Sequence, residues 1–282
     1  MKKVSSRKKE VLIYFKNKAS HYDDVDKQFY WRLSDTVLWN LLSKLVLNKF
    51  RNKKIKLLDA GAGTGRWGIR IAEEFGFETV LLDISKEMLE IAKKKIAKKR
   101  LEHLIRIQEG DIESPVFLTT STYDLVLLLH NVLSFVDDPR KALINMAKVT
   151  KRGGYVVAIV ANKYHALYFS NVTRQFKELS RVMERGQIKF TKDCPPMWTF
   201  TPHSLRYLFI KKAGFRLVKI YGFPITIYPN MEETTLSQNS KYMEENLTQK
   251  NIMEKLIKIE SKICLEEEAA ARGNMLLAIG RK

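Results

Sequence analysis

Residues 56–68, KLLDAGAGTGRWG, place Gly61, Gly63 and Gly65 between a short apolar run and a helical pattern. No other stretch narrows the fold as much. Three alternate glycines neither continue a strand nor begin a helix on propensity. They let the chain leave a strand end, pass close to a ligand or a neighbouring backbone, and turn into a helix. The unit they define is strand, glycine loop, helix.

The chain repeats that unit with other loops. TVLLDIS (79–85) reads as a second strand, and SKEMLEIAKKKIAKKR (85–100) as a helix with Ser85 as its N-cap. IRIQEGDI (105–112) is a third strand and YDLVLLLHNVLSF (123–135) a fourth, followed by a helix over 138–150 that opens with Asp138-Pro139. Gly153-Gly154 turn the chain into YVVAIVAN (155–162), a fifth strand. FRLVKIYGF (215–223) and NMLLAIGRK (274–282) are a sixth and a seventh, each preceded by a helix, over 201–213 and 249–271. Alternating strands and helices predict an α/β fold with a mostly parallel seven-stranded sheet flanked by helices. Apolar runs such as LVLLL belong to a sheet covered on both faces.

Two regions break the alternation. Residues 1–50 carry a helical apolar stripe of Val37, Leu38, Leu41, Leu42, Leu45 and Val46, with Ser34 or Asp35 as the expected N-cap. Residues 162–200 read as helical and aromatic, then as a loop through DCPPMWTF. The expectation is a helical cap, built from 1–50 and an insertion at 162–200, over a sheet domain formed by 51–161 and 201–282.

Composition bounds the function. The formal net charge of +19 favours solubility and attraction to anions, and names no activity. The basic run Lys93–Arg100 shares its helix with Leu89, Ala92 and Ile96, which face the sheet, so it reads as a solvated face. Cys194 and Cys264 have no paired spacing, so neither a disulfide framework nor a metal site is expected. No apolar run reaches membrane-spanning length. The basic start is followed by an apolar run of only Val11 to Phe15, too short for a secretory leader, so a cytoplasmic location and no membrane partner are expected.

The glycine loop can be read two ways. From Gly63 it is GTGRWG, a literal G-x-G-x-x-G, the fingerprint of a dinucleotide loop. Such a loop cradles a pyrophosphate at a helix N-terminus. From Asp59 it is DAGAGTG, with a carboxylate at the strand's end, which would repel a diphosphate and help a cation. Asp83 ends the second strand, where a carboxylate accepts two ribose hydroxyls. Asp111 ends the third, where it can accept from an adenine amino group, with Ile112 against the ring. Acids at three successive strand ends suit an adenosyl ligand without phosphates.

With these residues in view, the chain resembles the class I S-adenosylmethionine-dependent methyltransferases. LLDAGAGTGRWG is similar to their glycine motif, LLDIS to the ribose segment and EGDI to the adenine segment. YDLVLLLHNVLSFVDDP and KRGGYVVAIV resemble their fourth- and fifth-strand motifs. The resemblance is close over 55–161 and looser over 201–282. It implies a Rossmann-like fold, S-adenosylmethionine as cofactor and S-adenosylhomocysteine as product. It further implies that Asp59, Gly61, Gly63 and Gly65 surround the methionine part and that Asp83 holds the ribose. Ile84 and Met88 would pack near adenine, Asp111 and Ile112 would fix its edge, and His130 would face the methionine moiety. Trp67 is bulky for the first helical turn and reads as a packing residue or a pocket wall.

Methyl transfer from a sulfonium is an in-line displacement, in which alignment supplies much of the rate, roughly 7–11 kcal/mol. A base is needed only for a hydroxyl or a protonated amine. His130 is the leading candidate; His21, His165 and His203 are further ones. Tyr22, Tyr30, Trp31, Arg32, Tyr164, Tyr168 and Trp198 are the expected acceptor pocket. An aromatic cap favours a small-molecule or short-peptide acceptor, methylated on nitrogen or oxygen. The alternatives are an RNA methyltransferase, supported by charge alone, a nicotinamide oxidoreductase, supported by GTGRWG and opposed by Asp59, and a cofactor-binding protein without catalysis. The N/D-P-P-aromatic motif of base-amine methylation does not follow the fourth strand, and DCPPMW (193–198) reads as a proline turn.

Overall fold

The computed structural model describes residues 5–114, 120–227 and 249–282. Its centre is a sheet in which five strands lie parallel in the order β3 (Ile105–Glu109), β2 (Glu78–Asp83), β1 (Lys56–Ala60), β4 (Tyr123–Leu128), β5 (Thr150–Asn162). β9 (Met275–Arg281) pairs antiparallel with β5, and β8 (Leu217–Phe223) pairs antiparallel with β9 on its far side. These seven strands make the mostly parallel sheet that was expected, and two short strands described below extend it to nine. Chain order reverses direction between β1 and β4, which opens a crevice at their carboxyl ends.

Helices cover both faces. On one, α2 (Phe29–Leu45), α3 (Arg66–Phe75) and α10 (Lys250–Ile263) enclose Leu38, Leu42, Leu57, Ile71 and Phe77. α4 (Lys86–Lys99) extends that layer, with Ala92 and Ile96 against Leu81. On the other, α6 (Pro139–Val149) and α9 (Pro202–Tyr207) bury Leu143, Met146, Leu205 and, from the π-turn that follows α9, Phe209. The caps are local chemistry: Ser85 accepts from Met88 N–H and Asp138 from Lys141 N–H, both as expected. Thr201 and Ser204 form a capping box at the start of α9.

Three local expectations fail. Helix α2 begins at Phe29, so Ser34 and Asp35 are buried inside it rather than capping it. Its stripe extends back through Tyr30 and Leu33, which the core needs. The fourth strand stops at Leu128, because His130 (φ 50°) and Asn131 (φ 67°) take left-handed backbone and hand the chain to a short helix, α5 (Val132–Phe135). An apolar run alone does not separate strand from buried helix. Within 162–200, α7 (Lys163–Val172) and α8 (Phe176–Arg185) are helical as expected. The stretch read as a loop instead forms β7 (Met197–Phe200), which pairs with β6 (Gln187–Ile188) and extends β5 at Ala161 and Asn162.

The amino-terminal helix α1 (Ser6–Lys18) and the 3₁₀ segment Ala19–Lys27 run across the carboxyl edge of the sheet. They meet the strand-end loops in side-chain contacts rather than in the sheet.

Candidate functional site

A cleft opens at the carboxyl ends of β1 and β4, and with its mouth it holds about 780 Å3. One wall is built from strand ends: Gly61 and Gly63 after β1, Asp83 and Ile84 after β2, Asp111 and Ile112 after β3, His130 and Val132 after β4. The other is the N-terminal segment, through Lys8, Val11, Phe15 and Tyr22, with Phe135 between the two.

Gly61 sits at φ +81°, and a Cβ there would collide with Val132. Only glycine lets the β1 loop lie this close to α5. Asp83 organises the loop: its Oδ2 accepts Gly63 N–H at 2.8 Å and its Oδ1 accepts Ser85 N–H at 2.8 Å. Burial pushes the Asp83 carboxyl above its ordinary range, while the backbone donors pull it back. Each oxygen keeps a lone pair for a ligand hydroxyl. Met88 and Ile84 complete the floor.

Two residues expected on the ligand side stand behind the loop. Asp59 is 2% exposed and accepts Gly68 N–H at 3.0 Å, so it pins the start of α3 from within the core. Burial pushes its carboxyl up to about 7. Strand parity explains this: Asp59 alternates with Leu58 and Ala60 and shares the face of Leu57, under α3. Gly65 (φ +75°) faces Ile69 and Leu81, each within 3 Å of a Cβ placed there, so it serves helix–strand packing.

His130 stands at the cleft wall with its ring engaged. Trp67 Nε1–H donates to His130 Nε2 at 2.5 Å. An indole N–H only donates, so Nε2 accepts and the imidazole proton sits on Nδ1. Trp67 is itself buried and stacked on Trp39, which makes it a packing residue that also orients His130. Arg66, one residue before, pairs with Asp35 at 2.6 Å, both nearly buried. Arg66 was not marked by the sequence, and Asp35 was read there only as a helix cap, because an arginine in a glycine loop and an aspartate mid-helix carry no motif.

Of the residues expected to line an acceptor pocket, Tyr22 reaches the cleft. Burial pushes its phenol up to about 12, against the pull of Arg66. Tyr30 is buried and its hydroxyl accepts from Asn274 Nδ2 at 2.6 Å. Trp31 packs edge-on against Tyr30, and Arg32 lies exposed over the Phe29 ring. Tyr164 and Tyr168 are half exposed on α7. Trp198 donates to Val136 O and carries Arg7 over its ring, so it packs the N-terminal helix rather than opening onto the cleft. Of the other histidines, His21 is exposed beside Asp24 and His203 is exposed in the first turn of α9. His165 is buried in the cap, where burial and the charge of Arg272 lower it to about 4. Both cysteines are buried, as fillers.

A family model described as a methyltransferase domain matches residues 51–258. The chain is 24% identical over 270 residues to the tRNA 5-carboxymethoxyuridine methyltransferase of Escherichia coli, covering 93% of this chain and 96% of that protein. It is 28% identical over 237 residues to the demethylmenaquinone methyltransferase of Staphylococcus haemolyticus, covering 79% and 92%. Its fold is that of a SAM-dependent methyltransferase, a possible histamine N-methyltransferase, from Thermotoga maritima, with a TM-score of 0.53, 18% identity, and 96% and 99% of the two chains covered. The chain belongs to the methyltransferase-domain family and is an S-adenosylmethionine-dependent methyltransferase.

Proposed function

We propose that this enzyme methylates a small-molecule acceptor that reaches the cofactor from beneath the N-terminal segment. The observation that carries the reading is the enclosure of the cleft. Phe15, Tyr22 and Phe135 form linked edge-on ring contacts, with centroids 6.2 Å and 5.2 Å apart, over the strand-end wall. Such a lining excludes water from a small acceptor. The quinone-methylating relatives support a ring-bearing acceptor of this size.

The strand-end residues fit the cofactor. Gly61 and Gly63 admit its methionine part without a Cβ in the way, Asp83 takes the ribose hydroxyls, Asp111 the adenine edge, and Ile84, Met88 and Ile112 the purine faces. Bound there, the cofactor supplies an electrophilic methyl on sulfur. The chain aligns the acceptor and shuts out water. His130, with Nε2 held by Trp67, is a donor through Nδ1–H, so the acceptor arrives as its own nucleophile or sheds its proton before the cleft closes around it. A cytoplasmic location goes with this reading as part of the proposal; among the described residues no helix is long and apolar enough to cross a membrane.

A second reading, transfer to a tRNA nucleotide, is favoured by the near full-length likeness to the Escherichia coli relative and by the charge of +19. Transfer of labelled methyl from S-adenosylmethionine to a panel of quinols, phenols and small amines, run beside tRNA that carries 5-carboxymethoxyuridine, separates the two. Turnover on a small acceptor that is indifferent to moderate salt supports the first reading. Turnover on tRNA alone, lost steeply as salt rises, replaces it with the second.

A further inference from the structure

Three carboxylates crowd the adenine end of the cleft. Asp111 and Glu113 follow β3, and Asp137 follows α5. Glu113 is 4% exposed and accepts the N–H groups of Asp137 and Asp138, at 3.2 Å and 2.8 Å. Like charges this close repel one another, so the cluster calls for a cation. Lys8 reaches all three, and the Arg7 guanidinium adds its charge near Asp137 and Glu113. Lys8 Nζ, from α1, lies 2.7 Å from Asp111 Oδ2, 3.2 Å from Glu113 Oε2 and 3.7 Å from Asp137 Oδ2. Burial alone would lower the Lys8 ammonium, but the hydrogen bond and charge of Asp111, and then Glu113, outweigh it and hold the group above its ordinary value.

Asp111 is fixed from two sides. Its Oδ1 accepts Glu113 N–H at 2.8 Å and its Oδ2 accepts Lys8 at 2.7 Å. Both oxygens receive a donor from the protein, so the lone pairs that remain face the cleft as acceptors. Asp111 therefore suits the 6-amino group of a purine and offers nothing to a 6-oxo group, itself an acceptor. Flanking contacts hold Lys8 in place: Ser5 Oγ donates to Asp137 Oδ2 at 2.6 Å, and Arg7 donates to Ser134 O and Phe135 O at 3.0 Å and 3.3 Å.

We propose that Lys8 is the positioning residue for purine selection: from the N-terminal helix it holds Asp111 as an oriented acceptor, so that the docking of that helix and the 6-amino preference share one side chain. This rests on the cofactor reading given above. A merely structural Lys8, pinning α1 to the cleft, would affect every nucleoside ligand alike. A selecting Lys8 would affect the adenosyl ligand more than the inosyl one.

The test is calorimetric titration of the full chain with S-adenosylhomocysteine and with S-inosylhomocysteine, for wild type, Lys8→Met and Lys8→Arg, with melting curves showing that each variant is folded. The expected result is a wild-type preference for the adenosyl ligand of about tenfold or more, the size of one charge-assisted hydrogen bond. Lys8→Met should bring the ratio to about threefold or less, mainly by weakening the adenosyl ligand, and Lys8→Arg should restore most of it. If Lys8→Met weakens both ligands equally and the ratio persists, Lys8 only secures the helix and the proposal fails. If wild type binds both ligands alike, Asp111 does not read the purine, and the proposal fails while the cofactor reading stands. If wild type binds neither, the cofactor reading is wrong and the proposal goes with it.

Discussion

The two walls of the cleft are made by different means. The strand-end wall is held by backbone: Gly63 and Ser85 N–H groups fix Asp83, and the loop itself rests on Leu82 O, which accepts from Gly61 and Ala62 N–H at 2.7 Å and 3.0 Å. The N-terminal wall is held by side chains. Asp23 accepts from Thr64 Oγ1 at 2.7 Å and from Lys95 Nζ at 2.8 Å, Lys16 meets Glu87 at 3.3 Å, and Lys8 meets its three acids. Backbone geometry survives salt and most substitutions. Long side chains in ion pairs at the surface do not, because screening and rotamer entropy act on them directly. The contrast teaches that the fixed half should set affinity for the parts of the ligand that never change, and the side-chain half should set exchange and selection.

The largest expected effect attacks the fixed wall. Asp83→Ala should weaken S-adenosylhomocysteine by about a hundredfold in calorimetric titration, since two charge-assisted bonds and the loop's anchor go together. A loss no greater than that of Lys8→Met, on the other wall, would erase the contrast. Next comes Asp59, which supports the same wall from behind. Its folded carboxyl, raised to about 7, lies above the unfolded value, so the native state binds the extra proton and stability is lost as pH climbs from about 4 through 7. Asp59→Asn can still accept from Gly68, so it should flatten that slope and stabilise the protein at pH 8 by roughly 2–4 kcal/mol relative to its effect at pH 5. Melting temperatures against pH for both proteins decide it.

The side-chain wall should respond to salt. Raising salt from 0.05 M to 0.5 M should speed release of S-adenosylhomocysteine by about fivefold in stopped-flow displacement, with a smaller change in the pre-formed strand-end contacts. An unchanged rate would mean that the N-terminal segment does not limit exchange. The smallest effect belongs to the outer cap. Tyr164→Ala with Tyr168→Ala should leave stability within about 0.5 kcal/mol and kcat/KM for a small acceptor unchanged, because both rings already face water. A large fall in turnover on tRNA alone would move the acceptor site outward and favour the second reading.

The same division explains what could be read in the chain beforehand. The strand-end wall depends on particular residue types at fixed distances from a glycine loop, so Asp83, Asp111, Gly61 and Gly63 could be found by spacing. Asp59 was placed on the wrong side because its chemistry was weighed without its parity along β1. The cap offers no such grammar. Tyr22 could not be told from Tyr30, Trp31 or Trp198, because an aromatic ring serves a core and a pocket equally well. Lys8 stands in a basic run, SSRKKE, where nothing local separates it from Lys9. Its partners lie more than a hundred residues away, and only the folded chain brings them together. The left-handed pair His130-Asn131 was hidden for a related reason, since a polar break inside an apolar run does not state which way the backbone turns.

The placing of β9 has a consequence for biosynthesis. Among the described residues β8 pairs with β9 alone, and β9 fills the gap beside β5. While a ribosome is still making the stretch between them, β5 shows a bare edge and β8 has no neighbour to bond. The nascent enzyme therefore spends the time needed to translate some fifty residues with two sticky edges, Val156–Ile159 on one and Ile220–Phe223 on the other. The run MLLAIGR closes both at a stroke. A cell under heat stress, or one expressing a chain cut before Met275, should meet this protein mainly as a client of its chaperones.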